Sequence, residues 1–368
     1  PDHPLPEPAG THRPGMVPTA QQRRRTLAVL AGILVLTLAV HWVYRAKTAE
    51  PPPVSREVAV FDSYARLTLW AAESRALPAL DECSAELARI HLALNRFNPA
   101  SEVSRLNATA AQEPFVCSPL LWDVLRQARQ AYRQTDGAFD ISVGPLMALW
   151  GFHRRRDTLP SDAEIAAALG RVGLGRVVFD DHDRSVRFTV KGMSLDFGGI
   201  AKGYALDRVM AILARHGIDQ ALVDLGGNVG CTEQPPPGRP HFVVGIRNPF
   251  AIKTLLDRLA VRGLAVATSG NYERRIVVQG KEIGHIVDPR TGRPVSGPSG
   301  VTAVTPRGVD SDVFSTAVYV AGPDLARRLV KAVPGTGFAL VMGTADDYHI
   351  ETVGTVPLLD GPPAAAAP

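Results

Sequence analysis

SLDFGGIAKGYALDRVMAILARHG, residues 194–217, places a carboxylate, a glycine pair and a lysine at the start of an apolar helix. A glycine pair alone asks only for tight backbone geometry. Backbone N–H groups and a cation at a helix N-terminus also suit an anionic phosphate. The GxGxxG spacing of a dinucleotide-binding turn is missing, and so is the Gly-Lys-Ser/Thr ending of a P-loop. Taken alone, the stretch reads as the end of a strand, a turn and a helix whose start is either a plain tight turn, the commoner case, or an anion site.

The surrounding pattern is globular. VAVFDSYARLTLW alternates as a strand, while LPALDECSAELARIHLALNRF carries Leu80, Leu87, Ile90 and Leu94 as a helical stripe, and SPLLWDVLRQARQAYRQT repeats it. RVVFDDHDRSVRFTVKG reads as a hairpin; QALVDLGGNVG, HFVVGIRNP, RRIVVQGKEIGHIVD and GVTAVTP read as strands. SDVFSTAVYVAGP and DLARRLVKAV are helical, and GFALVMG closes the sheet. Without regular βαβ alternation, the order predicts an α+β domain with a mixed sheet over residues 57–350, followed by a flexible tail at 351–368.

The chain has 368 residues, 45% apolar and 21% charged, enough for a well-buried core. Net charge is +4, with basic and acidic residues interspersed, so no nucleic-acid footprint is present. Cys83, Cys117 and Cys231 are far apart and lack CxxC spacing, which excludes a zinc site and a disulfide framework. In an exported protein they leave room for one bridge at most.

TLAVLAGILVLTLAVHWVY, residues 26–44, follows the arginine run 23–25 and would rise about 28 Å as a helix, close to a bilayer core. The expectation is an N-terminal membrane anchor or signal helix behind a basic cytoplasmic region, residues 1–25, in which Met16 is a candidate start. No clean A-x-A cleavage site follows, since Lys47-Thr48-Ala49 puts a lysine where a small residue is wanted. Residues 45–56, with AEPPPVS, form a Pro-rich linker to the domain, which is expected outside a bacterial inner membrane, in the periplasm.

Several further turns carry polar chemistry. Thr135 to Asp140 sets an acidic pair around Phe139, although Asp136 also suits a cap for the helix that follows and Phe139 a core position. Thr268-Ser-Gly-Asn-Tyr272 and His285-Ile-Val-Asp-Pro-Arg lie at strand ends in glycine-rich turns, where functional side chains concentrate. Asp312 and Thr316, four apart, share one face of a helix start, and such oxygen ligands suit a hard cation like Mg²⁺, although an Asp N-cap is the commoner source of such a pattern.

In order and spacing, NRFNPASEVSRLN, TDGAFDISVGPLMALWGF, LDFGGIAKGYALDRV, VDLGGNVG, ATSGNYERR, HIVDPRTGRPV and DSDVFSTAVYVAG are similar to the blocks of the ApbE family, the FAD:protein FMN transferases. The resemblance spans about residues 57–345 and implies a T-fold-like domain with FAD as substrate and Mg²⁺ as cofactor. It implies that Asp196, Lys202 and Ser269 bind FAD, and that Phe97, Ala138, Phe139, Asp140 and Ile286 meet the flavin. Asp312, Thr316 and a carbonyl near Gly199 or Ala201 would ligate the metal. The implied reaction is attack by a threonine hydroxyl of a target protein on the FMN phosphorus, with AMP leaving. Lys202 would offset charge, and His285, by its intrinsic pKa range, would act as base.

Two departures matter. Phe97 stands where many members have Tyr, which keeps stacking but drops a hydroxyl and leaves transfer against simple FAD hydrolysis open. FDSY replaces the commoner Met-Gly-Thr near Phe61. The alternatives are therefore an Mg²⁺-dependent FAD pyrophosphatase and a non-catalytic flavin carrier. The family's targets imply partners of the Na⁺-translocating NADH:quinone reductase or Rnf-like type.

Overall fold

The computed structural model describes residues 20–48 and 52–359, which divide into two units on either side of residue 51. The first unit is a single helix, α1 (Ala20–Thr48). Its described side chains, residue 21 and residues 27–41, are all exposed. Among the described residues no helix is long and apolar enough to cross a membrane. The ends of the expected 26–44 span fall on side chains outside the described set, as do residues 1–19 and the linker positions 49–51.

The second unit opens with a hairpin, β1 (Val54–Val60) and β2 (Ser63–Leu69), then α2 (Glu73–Leu94), α3 (Glu102–Thr109), β3 (Phe115–Val116), α4 (Pro119–Gln134), α5 (Gly144–Leu149) and α6 (Asp162–Leu169). There follow β4 (Val177–Asp180), β5 (Ser185–Phe188), α7 (Ala201–Arg215), β6 (Ala221–Leu225), β7 (Asn228–Cys231), β8 (Phe242–Arg247), β9 (Leu255–Val261) and β10 (Ala265–Ser269). The chain ends with β11 (Arg275–Val278), β12 (Lys281–Gly284), β13 (Gly300–Thr305), α8 (Gly308–Ala321), α9 (Pro323–Ala332), β14 (Gly337–Gly343) and β15 (Tyr348–Gly354).

Eight strands form the main sheet in the order β1-β2-β6-β7-β10-β13-β14-β15. The α+β class holds, but the sheet is not mixed: every neighbouring pair is antiparallel. Three of the seven neighbouring pairs, β1–β2, β6–β7 and β14–β15, are direct hairpins, and the longer connections also bring the chain back antiparallel. Helices α2, α7 and α8 cover one face through Val209, Val313, Phe314 and their neighbours. The β8–β9 hairpin covers the other through Phe242, Val244, Leu259 and Val261. Strand β13 is consequently buried at all six positions, Val301 and Ala303 towards the helices and Val304 towards the hairpin. That double burial explains why GVTAVT shows no apolar–polar alternation, the buried Thr302 and Thr305 hydroxyls bonding Thr268 Oγ1 and the Arg307 carbonyl.

Three expected boundaries shift. VAVFDSYARLTLW contains a turn, because Phe61 and Asp62 both take positive φ (54° and 55°) and reverse the chain. Ser194 and Leu195 are not a strand: Asn107 occupies both backbone groups of Leu195, its Nδ2 donating to the carbonyl at 2.9 Å and its Oδ1 accepting the N–H at 2.7 Å. GFALVMG is not the sheet edge either, since β15 pairs outside it. Of the tail expected at 351–368, residues 351–359 are instead tied to the sheet. Leu359 N–H and Pro357 C=O bond to the edge of β9, and residues 360–368 lie outside the described set.

Candidate active site

The quoted glycine turn ends against a cleft of about 780 Å³, within the usual range for a small-molecule site. Helix α7 begins there without a side-chain cap of its own. Its third residue, Gly203, instead donates its N–H to Asp312 Oδ2 of α8 at 2.9 Å. In return Asp207 of α7 accepts the N–H groups of Gly308 and Val309 at the start of α8. Each helix thus satisfies orphan donors of the other, which fixes both N-terminal turns beside the cleft.

All twelve residues expected in the site line this one cleft. Lys202 sits half-buried in the first turn of α7 and has no ion-pair partner among the described residues. Thr316 Oγ1 bonds Ser269 Oγ at 3.0 Å and the Asp312 carbonyl at 3.2 Å, and Ser269 also meets Ser315 Oγ at 2.9 Å. Gly199 packs under the Phe139 ring, and a Cβ there would come 3.0 Å from Cε2 of that ring and 3.9 Å from Thr316 Oγ1. The glycine turn, the Asp312–Thr316 pair and the end of β10 are therefore neighbours in space.

Ala138, Phe139 and Asp140 lie in the turn after α4, all buried. The Asp140 carboxylate is aimed at the protein: it accepts Ser142 N–H at 2.7 Å and Leu174 N–H at 3.0 Å. Burial raises its pKa, and those bonds only partly oppose the rise. Asp136 pairs with Arg328 rather than capping a helix. Phe97 is 53% exposed at the rim. Ile286 is buried, its N–H on Asn271 Oδ1 at 3.3 Å.

His285 follows β12. Its Nδ1 lies 3.2 Å from the Arg274 carbonyl, so Nδ1 carries the hydrogen and Nε2 is left as an acceptor. Burial lowers its pKa to about 4; the bond to the Arg274 carbonyl opposes this, while the nearby charges of Arg274 and Lys202 add to it. The ring is therefore neutral near pH 7.

The motifs did not foretell the partners of Asp196. Its Oδ2 takes His153 Nε2 at 2.8 Å and Arg96 Nη1 at 3.2 Å, and its Oδ1 takes Gly198 N–H at 2.8 Å. Burial would raise its pKa, but the His153 bond and the Arg96 charge outweigh burial and hold it at about 2. Neither His153 nor Arg96 has a spacing that marks it in sequence; GFHRRR reads as a basic loop. Asn228 is likewise unmarked within VDLGGNVG, yet its buried Nδ2, beside the cleft, lacks a partner among the described residues. Among the described residues no three His, Cys, Asp or Glu side chains gather as a metal-binding group.

Residues 61–340 match the model of the ApbE family. A FAD:protein FMN transferase of Klebsiella pneumoniae is 34% identical over 226 residues, covering 60% of this chain and 69% of that protein. One of Treponema pallidum is 32% identical over 272 residues, covering 70% and 75%. The crystal structure of the ApbE protein of Thermotoga maritima superposes with a TM-score of 0.72 at 31% identity, covering 78% of this chain and 94% of that one. With every cleft residue discussed above inside the matched span, this chain belongs to the ApbE family.

Proposed function

We propose that this protein transfers the FMN group of FAD to a threonine hydroxyl of a target protein and releases AMP. The observation that carries the reading is the convergence of Lys202, unpaired among the described residues, the Asp312–Thr316 pair and a neutral histidine on one cleft. The chain's similarity to proteins named FAD:protein FMN transferase supports the same reaction.

In this reading the threonine oxygen forms a bond to the FMN phosphorus and the bond from that phosphorus to the AMP oxygen breaks. Lys202, on the first turn of α7, offsets the negative charge of the diphosphate and of the departing AMP. His285 takes the hydroxyl proton at Nε2. An imidazolium beside Arg274 and Lys202 is disfavoured, so that proton passes on readily to AMP or water.

The residues present fit a hard divalent ion. Asp312 spends one carboxylate oxygen on Gly203 and keeps acceptor capacity on the other, and hydroxyl and carbonyl oxygens stand beside it. Asp312, Thr316 and the Gly199 carbonyl would hold Mg²⁺. When bound, it would act as a Lewis acid on the diphosphate. The arginine run before residues 26–44 supports a single inner-membrane anchor with the domain outside, near an exported redox subunit as target.

The test is incubation of the full chain with FAD, Mg²⁺ and a candidate acceptor subunit, followed by mass analysis. A gain of one FMN on an acceptor threonine is expected. Free FMN and AMP without labelling would assign the nucleophile to water, and FAD bound but intact would reduce the protein to a carrier.

A further inference from the structure

His153 is a buried polar group of the cleft to which the proposed reaction gives no role. Its side chain is 9% exposed, and it follows α5 in the loop that turns over Asp196. The ring stands edge-on to Phe97 with centroids 6.0 Å apart. Arg96, on the same Asp196 oxygen, lies 5.8 Å from the centre of the Phe97 ring. The imidazole is thus fixed from two sides. Its Nδ1 is buried and has no hydrogen-bond partner among the described residues.

The ionised Asp196 can only accept, so the hydrogen of the Asp196–His153 bond resides on Nε2. In the neutral tautomer with its hydrogen on Nε2, the lone pair sits on Nδ1, the buried nitrogen without a partner in a residue that lines the cleft. Buried polar atoms are almost always satisfied, and one left open among residues lining a cleft points to a partner that arrives with the substrate.

We propose that His153 contacts the bound dinucleotide directly, accepting at Nδ1 a hydrogen bond from one of its O–H or N–H groups. This rests on the FAD-binding reading above. Both halves of FAD carry such donors: hydroxyls and a ring N–H in the FMN half, ribose hydroxyls and an amino group in the AMP half. An acceptor at a fixed point selects one of them.

Two variants separate contact from support of Asp196. His153→Gln keeps an N–H donor for Asp196 and removes the lone pair at Nδ1. His153→Phe removes both nitrogens and keeps a ring against Phe97. Affinities of wild type and variants are measured for FAD, and for FMN and AMP as competitors, with thermal melts as a check on folding. Both variants are expected to lose about tenfold in FAD affinity, the value of one hydrogen bond, with the loss repeated for one of FMN and AMP and absent for the other. A Gln variant that binds FAD as tightly as wild type overturns the proposal, the imidazole then serving only to hold Asp196. Equal losses on FMN and AMP overturn it as well. Wild-type binding of FAD upholds the FAD reading whatever the variants do; a wild type that binds no FAD sinks both.

Discussion

Gly203 N–H and Asp312 Oδ2 join the starts of α7 and α8 at 2.9 Å. Gly203 also packs directly on the start of α8, for a Cβ there would lie 2.3 Å from the Gly308 carbonyl oxygen and 2.6 Å from Asp312 Cβ. One residue therefore holds two duties. Asp312 closes a helix end and also offers an oxygen to the cleft, so the fold and the proposed metal site share a side chain.

Those duties separate by substitution. Asp312→Ala leaves the Gly203 N–H without its acceptor and is expected to cost about 1–3 kcal/mol of stability, together with loss of FMN transfer. Asp312→Asn retains a carbonyl oxygen for Gly203 and removes the charge. Its melting temperature should stay near wild type while transfer falls at least about a hundredfold, the scale of one lost electrostatic group in an active site. Undiminished transfer by the Asn variant would remove Asp312 from the site.

Gly203→Ala tests the helix contact itself. Alanine inside a helix ordinarily gains up to about 1 kcal/mol over glycine. Here the methyl group meets backbone on α8, which cannot swing aside as a side chain can, so α7 and α8 must part. Overpacking of this kind costs about 1–3 kcal/mol, and a lower denaturant midpoint is expected. A midpoint at or above wild type would mean that the two helices tolerate separation.

The parts of the molecule that were legible in the sequence share a physical cause. The GVTAVT run, the helical stripe of α2 and the glycine turn before α7 are each forced by burial or backbone geometry that leaves a residue pattern. Elements that depend on a distant partner left none. Phe61 and Asp62 turn a hairpin without glycine or asparagine, with Phe61 N–H on His91 Nδ1 at 3.2 Å. Residues 356–359 have the composition of a loose end and become ordered by bonding to β9. The ordered motif blocks placed Asp196 in the site, but its charge partners come from Arg96 and His153, far apart in sequence and near in space.

The cysteines give a simple check on the core. Cys83, Cys117 and Cys231 are free and buried, so the single bridge allowed in an exported chain is not formed. Burial pushes their thiols up to about 12, 12 and 11. With almost no thiolate and no access, they should ignore a disulfide reagent in the native protein and titrate as three thiols in denaturant. Prompt native labelling of any one would contradict the packing described here.

His285 makes the proposed chemistry sensitive to pH in a stated direction. Its folded pKa of about 4 lies below the ordinary value of 6.5, so the folded protein resists protonation that the unfolded chain accepts. The associated stability is full above about pH 6.5 and is lost as pH falls from there through 4, by at most about 3 kcal/mol. His285→Phe should flatten that part of the stability curve. As a base, His285 stays unprotonated down to about pH 5, so the transfer rate should hold level from neutral pH to that point and fall only towards pH 4. His285→Ala should bind FAD yet lose transfer. An acid limb centred near 6.5, or full transfer by the Ala variant, would assign the base to another group.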